Sequence, residues 1–131
     1  MGETKSSLSV GEVVRTILLN DKNVTSITNH IFPVVTQLKA ELPYIVYRRL
    51  QLDARNVKEH RSSDEVEVEV MCCAEHYNES VRLAESVRLA LDGTQAEYGD
   101  LFMSKCVLKG ASEYYESDAF VQYMVYNIKI Q

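Results

Sequence analysis

The feature that most constrains the fold of this 131-residue chain is a segment of strict alternation near its centre. Small apolar side chains alternate there with acidic or larger ones, in the order Glu65, Val66, Glu67, Val68, Glu69, Val70, Met71 and Cys72. A period of two is typical of a β-strand that turns one face to the core and the other to solvent. The segment therefore predicts a strand with a buried valine face and a wet glutamate face.

Two amphipathic helices flank the predicted strands. The first extends from Val10 to Leu19, and the spacing of Ser9 and Glu12 predicts a capping box at its start. The second extends from Tyr77 to Leu91, with Gly93 as a terminator. Its predicted core face carries Tyr77, Leu83, Ala84, Val87, Ala90 and Leu91.

The remaining segments predict further strands. A short extended piece at His30–Val35 belongs at a sheet edge or a bend because Pro33 lacks a backbone donor. Tyr44–Leu50 predicts a strand joined to the alternating one by a polar loop over residues 53–64. Strands over Leu101 to Leu108 or beyond and over Ala119–Ile130 flank a turn region at 110–118. The last strand is apolar on both faces and is predicted to be central or covered by a partner.

These elements predict one α+β domain over residues 1–131, with residues 1–7 as a flexible N-terminus. The expected order is α-β-β-β-α-β-β, with a mostly antiparallel sheet and two helices packed on it. The net charge of −5 supplies no overall basic field, so we expect no sequence-specific nucleic-acid partner. The chain has no run of about 18 apolar residues and no recognisable signal peptide, so no membrane partner is expected either.

Side chains able to do chemistry are few. The histidines are His30, His60 and His76, and none stands in a recognisable catalytic string. Cys72, Cys73 and His76 have the composition of a metal site, but adjacent strand residues point apart and a fourth ligand is missing. The simpler interpretation is reduced thiols, one buried and one exposed. We therefore predict no catalytic residue, metal or cofactor.

Three groups of residues are candidates for protein contacts. Glu65, Glu67 and Glu69 form either a solvated sheet face or a stripe that meets a basic partner or lines a channel. Arg55, Lys58, His60 and Arg61 form either a docking loop or a mobile one. Leu8, Leu19 and Leu89 lie outside the predicted core faces, as scattered exposed leucines or as a subunit interface.

Several local strings, taken in order over about Val10 to Ile130, resemble the tail-completion (tail terminator, head–tail joining) proteins of long-tailed bacteriophages and prophages. The strings are Ile31-Phe32-Pro33, Leu42-Pro43-Tyr44-Ile45-Val46-Tyr47, the alternating strand, Val87-Arg88-Leu89-Ala90-Leu91-Asp92-Gly93 and the aromatic last strand. The resemblance implies a structural protein that forms an oligomeric ring, caps the tail tube and joins it to head–tail connector proteins. The alternative is a small-ligand-binding or regulatory α+β domain without catalysis.

Overall fold

The computed structural model describes residues 6–34, 40–56 and 62–131, with the backbone alone at residues 55, 56, 62 and 63. A 3-10 turn at Ser7–Ser9 precedes the first helix. The helices are α1 (Val10–Leu19), α2 (Lys22–Thr25) and α3 (Tyr77–Leu91). The strands are β1 (Ile31–Pro33), β2 (Tyr44–Asn56), β3 (Ser62–Ala74), β4 (Ala96–Tyr98), β5 (Leu101–Glu116) and β6 (Ala119–Ile130).

The six strands form one sheet in the order β1-β2-β3-β6-β5-β4. The sheet is mixed, which corrects the expected mostly antiparallel one, because β1 runs parallel to β2 with Ile31 opposite Ile45. β6 lies between β3 and β5, so of the two alternatives predicted for the last strand, a central position or cover by a partner, the structure shows the central position.

The order of elements also differs from the expected one, since α2 and β4 were missed. α1 ends at Leu19, and Asp21 then caps the start of α2. Its carboxylate accepts hydrogen bonds from the backbone of Asn23 at 2.9 Å and of Val24 at 3.0 Å, as a helix N-cap does. β4 is three residues long and pairs only with the start of β5.

The predicted bounds of α1 and α3 are confirmed, and both helices pack on one face of the sheet. The main core lies between them and the alternating side chains of β3, with α3 contributing Ser80, Leu83, Val87 and Leu91. Three details of the sequence-based prediction for these helices were wrong. Tyr77 is 48% exposed, Leu19 packs against the core, and Ser9 makes no side-chain capping bond because the 3-10 turn leads directly into α1.

Both long hairpins reach further than predicted. Pairing between β2 and β3 continues to Asn56 opposite Ser62, so most of the expected polar loop at 53–64 is strand. β5 continues to Glu116, and the expected turn region shrinks to Ser117 and Asp118, with φ of 51° and 63°. Two successive positive φ angles produce a turn whose twist matches that of the flanking strands. These strand ends could not be predicted from the sequence because their residues are mostly polar and show no alternation of apolar and polar side chains.

Candidate interaction surface

One face of the sheet is turned away from the helices, and we call it the open face. The opposite strand positions, such as Val66 and Val68, belong to the main core. The open face carries Tyr44, Val46, Arg48, Gln51 and Asp53 from β2, Glu65, Glu67, Glu69, Met71 and Cys73 from β3, Val121, Tyr123, Asn127 and Lys129 from β6, and Lys105, Val107, Ser112 and Tyr114 from β5.

Glu69 is a buried side chain of the open face that Arg48 and Tyr123 hold in place. Arg48, directly across from it on β2, reaches both carboxylate oxygens, with Nε at 3.0 Å from Oε2 and Nη2 at 3.2 Å from Oε1. The Tyr123 hydroxyl donates to Oε1 at 2.8 Å, and this bond is the main reason that the pKa of Tyr123 is raised. Only 4% of Glu69 is exposed, so the expectation of a fully solvated glutamate face is wrong at this position.

The other two predicted glutamates also approach cationic side chains. Glu67 forms an ion pair with Lys109 of β5, and Glu65 lies 4.0 Å from Lys129 of β6. Between these residues the sheet has an open concavity of about 470 Å³, lined by Glu65, Glu67, Lys105, Val107, Lys109, Asn127 and Lys129. The predicted acidic stripe is therefore electrostatically balanced by lysines of the neighbouring strands rather than a plain acidic surface.

The other end of the open face is apolar. Cys73, Ala119 and Val121 form a small buried cluster, separate from the main core, and Leu42, Tyr44 and Met71 pack around it half-buried. The hydroxyl of Tyr114, itself 41% exposed, lies 3.6 Å from the sulfur of Met71. Because the cluster itself is buried, the apolar surface at this end comes from Tyr114 and the half-buried Tyr44 and Met71, and apolar surface of this kind occurs at protein contact sites.

Aromatic side chains continue this apolar end around to the helical side of the sheet. Phe120 contacts Tyr77 and Tyr115 edge-on, with ring centroids 5.8 Å and 4.9 Å apart. The Tyr77 hydroxyl donates to Glu113 at 3.0 Å, which raises the pKa of Tyr77. Tyr115 is 59% exposed. The sequence signal for this cluster was the Tyr114-Tyr115 pair, which stood in an expected turn and was therefore given no site.

The thiols are poorly suited to chemistry. Cys72, Cys73 and Cys106 are all buried, so the expectation of one exposed thiol is wrong. Burial raises the pKa of Cys73 to about 11 and of Cys106 to about 12, and it raises the pKa of Cys72 further. A thiol with a raised pKa is a weak nucleophile at neutral pH. Within the described residues, no group of three or more His, Cys, Asp or Glu side chains could hold a metal ion.

The other predicted contact residues are those of the basic loop and the three leucines. Lys58, His60 and Arg61 lie outside the described residues, as does the side chain of Arg55. Leu8, in the 3-10 turn, is 65% exposed, and Leu89, on the outer face of α3, is 78% exposed. Leu19 is half-buried against the core, so it is the weakest of the three leucines as a contact residue.

A small α+β domain with a sheet face that none of the described helices covers, and with exposed tyrosines, fits the class of proteins that act by binding other proteins, since tyrosine is enriched at protein interfaces. Comparison with protein families gives the class a name. The chain belongs to the family described as "Tail completion protein gp17", whose model matches residues 12–130. It is a structural protein of bacteriophage tails, which confirms the resemblance drawn from the sequence.

A solved structure shares the fold. The chain is similar to a protein chain in the structure described as "Virion of native gene transfer agent (GTA) particle", with 12% sequence identity and a TM-score of 0.77 over 95% of this chain and 98% of the other. At that identity the likeness establishes the fold alone. Comparison with curated proteins found no match. Among the described residues, no helix is long and apolar enough to cross a membrane.

Proposed function

We propose that this protein caps the tail tube and joins the tail to the head connector as an oligomeric ring, and that it does so by binding rather than by catalysis. The observation that carries the proposal is the family match, which extends over residues 12–130 and therefore includes most of α1, all of α2 and α3, and the whole sheet. The partners would be the tail-tube protein, the head–tail connector proteins and further copies of this chain.

The surface of the domain supports such a role. A cyclic ring needs two different patches on each subunit, because its contacts are heterologous. The domain offers several different surface regions, among them a balanced charged region around Glu67 and Lys109 and an aromatic region around Tyr114 and Tyr115. Additional surfaces remain for a tube end and a connector, since Leu8 and Leu89 project from other parts of the molecule.

The alternative, a small-ligand-binding or regulatory domain, receives less support. Ligand pockets are usually enclosed and mostly apolar, with a few converging polar groups. The 470 Å³ concavity instead opens on the sheet surface and is lined by two glutamates and three lysines. The raised pKa values of Cys73 and Cys106 likewise give no reason to assign a nucleophile.

Electron microscopy of the purified protein mixed with tail tubes that lack a terminator tests the proposal. We expect ring-shaped density at one end of each tube and a halt to further polymerisation when tube subunits are added. Tubes that remain bare and continue to grow would refute it. A small-molecule ligand bound in the concavity would favour the alternative.

The predicted contact residues can be tested in the same assay. Arg55→Ser/Lys58→Ser/Arg61→Ser removes the basic loop, and unchanged tube binding and joining would eliminate the docking-loop hypothesis. Leu8→Ser and Leu89→Ser remove the exposed leucines, and Leu19→Ser is a poor companion because Leu19 contributes to the core. Sedimentation in the presence of tube protein should show weakened self-association if Leu8 or Leu89 lies at a subunit interface.

A further inference from the structure

The outer edge of β5 is unpaired over half of its length. β4 covers only Leu101–Met103, and beyond it the end of α3 satisfies two backbone groups. The amide of Gly93 donates to the carbonyl of Cys106 at 2.6 Å, and the amide of Leu108 donates to Asp92 Oδ1 at 2.9 Å. From residue 109 to residue 116, within the described part of the chain, no strand lies beside β5 on this side, and every residue is exposed.

The opposite edge of the sheet has a similar unpaired stretch. β1 covers β2 only over residues 45–47, and the amide of Val34 makes the last backbone contact, donating to the carbonyl of Tyr47 at 2.7 Å. From residue 48 to residue 56, no described strand lies on the outer side of β2. Leu50, at the irregularity between Arg49 and Gln51, is a 38% exposed apolar residue on this edge.

The β5 stretch lacks the usual protection of an edge strand. Natural sheets avoid unwanted pairing with short edge strands, prolines and lysines. β1 and β4 follow that practice, since each has three residues and β1 ends at Pro33. Residues 109–116 are longer, contain no proline and only one lysine, and include the exposed aromatic residues Tyr114 and Tyr115.

We propose that the β5 edge of one copy pairs with the β2 edge of the next copy, so that the sheet continues from subunit to subunit around the ring. This inference rests on the proposed function, because it names the contact that would build the ring. β2 and β5 run in opposite directions within the sheet, so the contact is antiparallel when both copies turn the same face outward. Residues 48–56 hold three arginines and one aspartate, whereas residues 109–116 hold two glutamates and one lysine, so the edges carry opposite net charge.

The positions of the two edges also favour a closed assembly. Through the pairings of β3 and β6, Ser112 in the middle of the free β5 edge lies level with Val46, whereas the middle of the free β2 edge is Leu52. Because of the irregularity at Leu50, that offset is five positions along β3, from Met71 to Val66, or about 17 Å, and the four strand spacings from one β2 to the next correspond to about 19 Å. The strands would therefore tilt by roughly 40°, within the range of closed β-barrels.

Disulfide cross-linking on tail tubes tests the pairing. Asp53 and Ser112 both lie on the open face. Within one chain they are separated by three strand spacings, about 14 Å, and by six positions along the strands, about 20 Å, too far for a disulfide. Across the proposed contact, neighbouring Cα atoms lie about 5 Å apart, which a disulfide spans. On oxidation, Asp53→Cys/Ser112→Cys should form a ladder of covalent oligomers, whereas a mixture of the two single variants should stop at dimers.

Several controls accompany the double variant. The natural chain should not cross-link because its three cysteines are buried, and Glu85→Cys/Ser112→Cys places the second thiol on the exposed surface of α3, away from both edges. Gln51→Cys/Ser112→Cys shifts the register by two residues on the same face and should cross-link less. Equal ladders from the Glu85 pair would show random collision and overturn the assignment.

The remaining outcomes separate this proposal from the proposed function. Rings on tube ends without a ladder from either β2 variant would overturn the edge pairing and leave the capping role intact. Dimers of Ser112→Cys alone would indicate a symmetric β5–β5 contact, and a covalent adduct of Ser112→Cys with tube protein would indicate strand addition by a partner. Either result overturns the proposal. Bare tubes would overturn both proposals together.

Discussion

The contact between Arg48 and Glu69 gives a quantitative test of how the open face is held together. Arg48→Met removes the guanidinium and keeps the aliphatic stem, and Glu69→Gln removes the carboxylate charge and keeps an acceptor for Tyr123. Charges about 4 Å apart interact by about 1 kcal/mol in bulk water and by about 4 kcal/mol at an effective dielectric constant of about 20. The Arg48 side chain is 49% exposed and that of Glu69 is 5% exposed, so we expect an intermediate coupling, about 2 kcal/mol.

A double-mutant cycle isolates this coupling. Urea unfolding of the natural chain, the two single variants and the double variant gives the interaction free energy as the departure from additivity. The matched control is Glu67→Gln with Lys109→Met, because these side chains are 31% and 59% exposed on the same face. We expect about 0.5 kcal/mol for the control, a typical surface value. Equal couplings for both pairs would refute the view that burial of Glu69 strengthens its ion pair.

Three further predictions concern stability. Asp118→Gly should raise the free energy of unfolding by about 0.5 kcal/mol in urea melts, because Asp118 has a φ of 63° that glycine adopts without strain. Leu83→Ala should lower it by about 3 kcal/mol, and Leu89→Ala, on the exposed face of the same helix, by under about 0.5 kcal/mol. The raised pKa values of Cys73 and Cys106 mean that the folded state disfavours their thiolates. The free energy of unfolding should therefore stay constant up to about pH 9 with respect to these groups and fall above it. Both thiols should react slowly with thiol reagents until the chain unfolds.

Segments with periodic apolar residues could be predicted from the sequence. A helix or strand that buries one side needs apolar residues at regular intervals, and these intervals are visible in the amino-acid sequence. The bounds of α1 and α3 are as predicted, and the valines of β3 lie in the core. Asp21 shows the limit of such patterns. An aspartate after an apolar helix is equally compatible with a loop or with an N-cap, and only the structure shows the two amides of α2 that it accepts from.

The buried glutamate could not be predicted for a different reason. Alternation placed Glu69 on a wet face, but the partners that allow its burial, Arg48 and Tyr123, are 21 and 54 residues away in the chain. Burial of a charge depends on such partners, and pairing across strands is invisible until the register is known. The same reasoning applies to Cys73. It lies on the face that was expected to be exposed, but it is buried there in the small cluster with Ala119 and Val121 of β6.

The segments most poorly predicted are also those that the proposed assembly uses. Residues 110–116 and 53–56 were expected to be turn and loop because they lack an apolar alternation, yet the backbone of each is paired as strand on one side. An edge strand that is exposed in the monomer needs no apolar pattern, since its backbone hydrogen bonds alone hold it to the sheet. If two copies pair along these edges, contacts with the second copy, rather than a core in the monomer, would have shaped the composition of these segments. Ala54→Pro and Ala111→Pro should then impair ring formation, and the loss should be largest where the backbone amide that proline removes points out of the sheet edge. The hairpin that carries the substitution should persist, which amide exchange of the monomer would show.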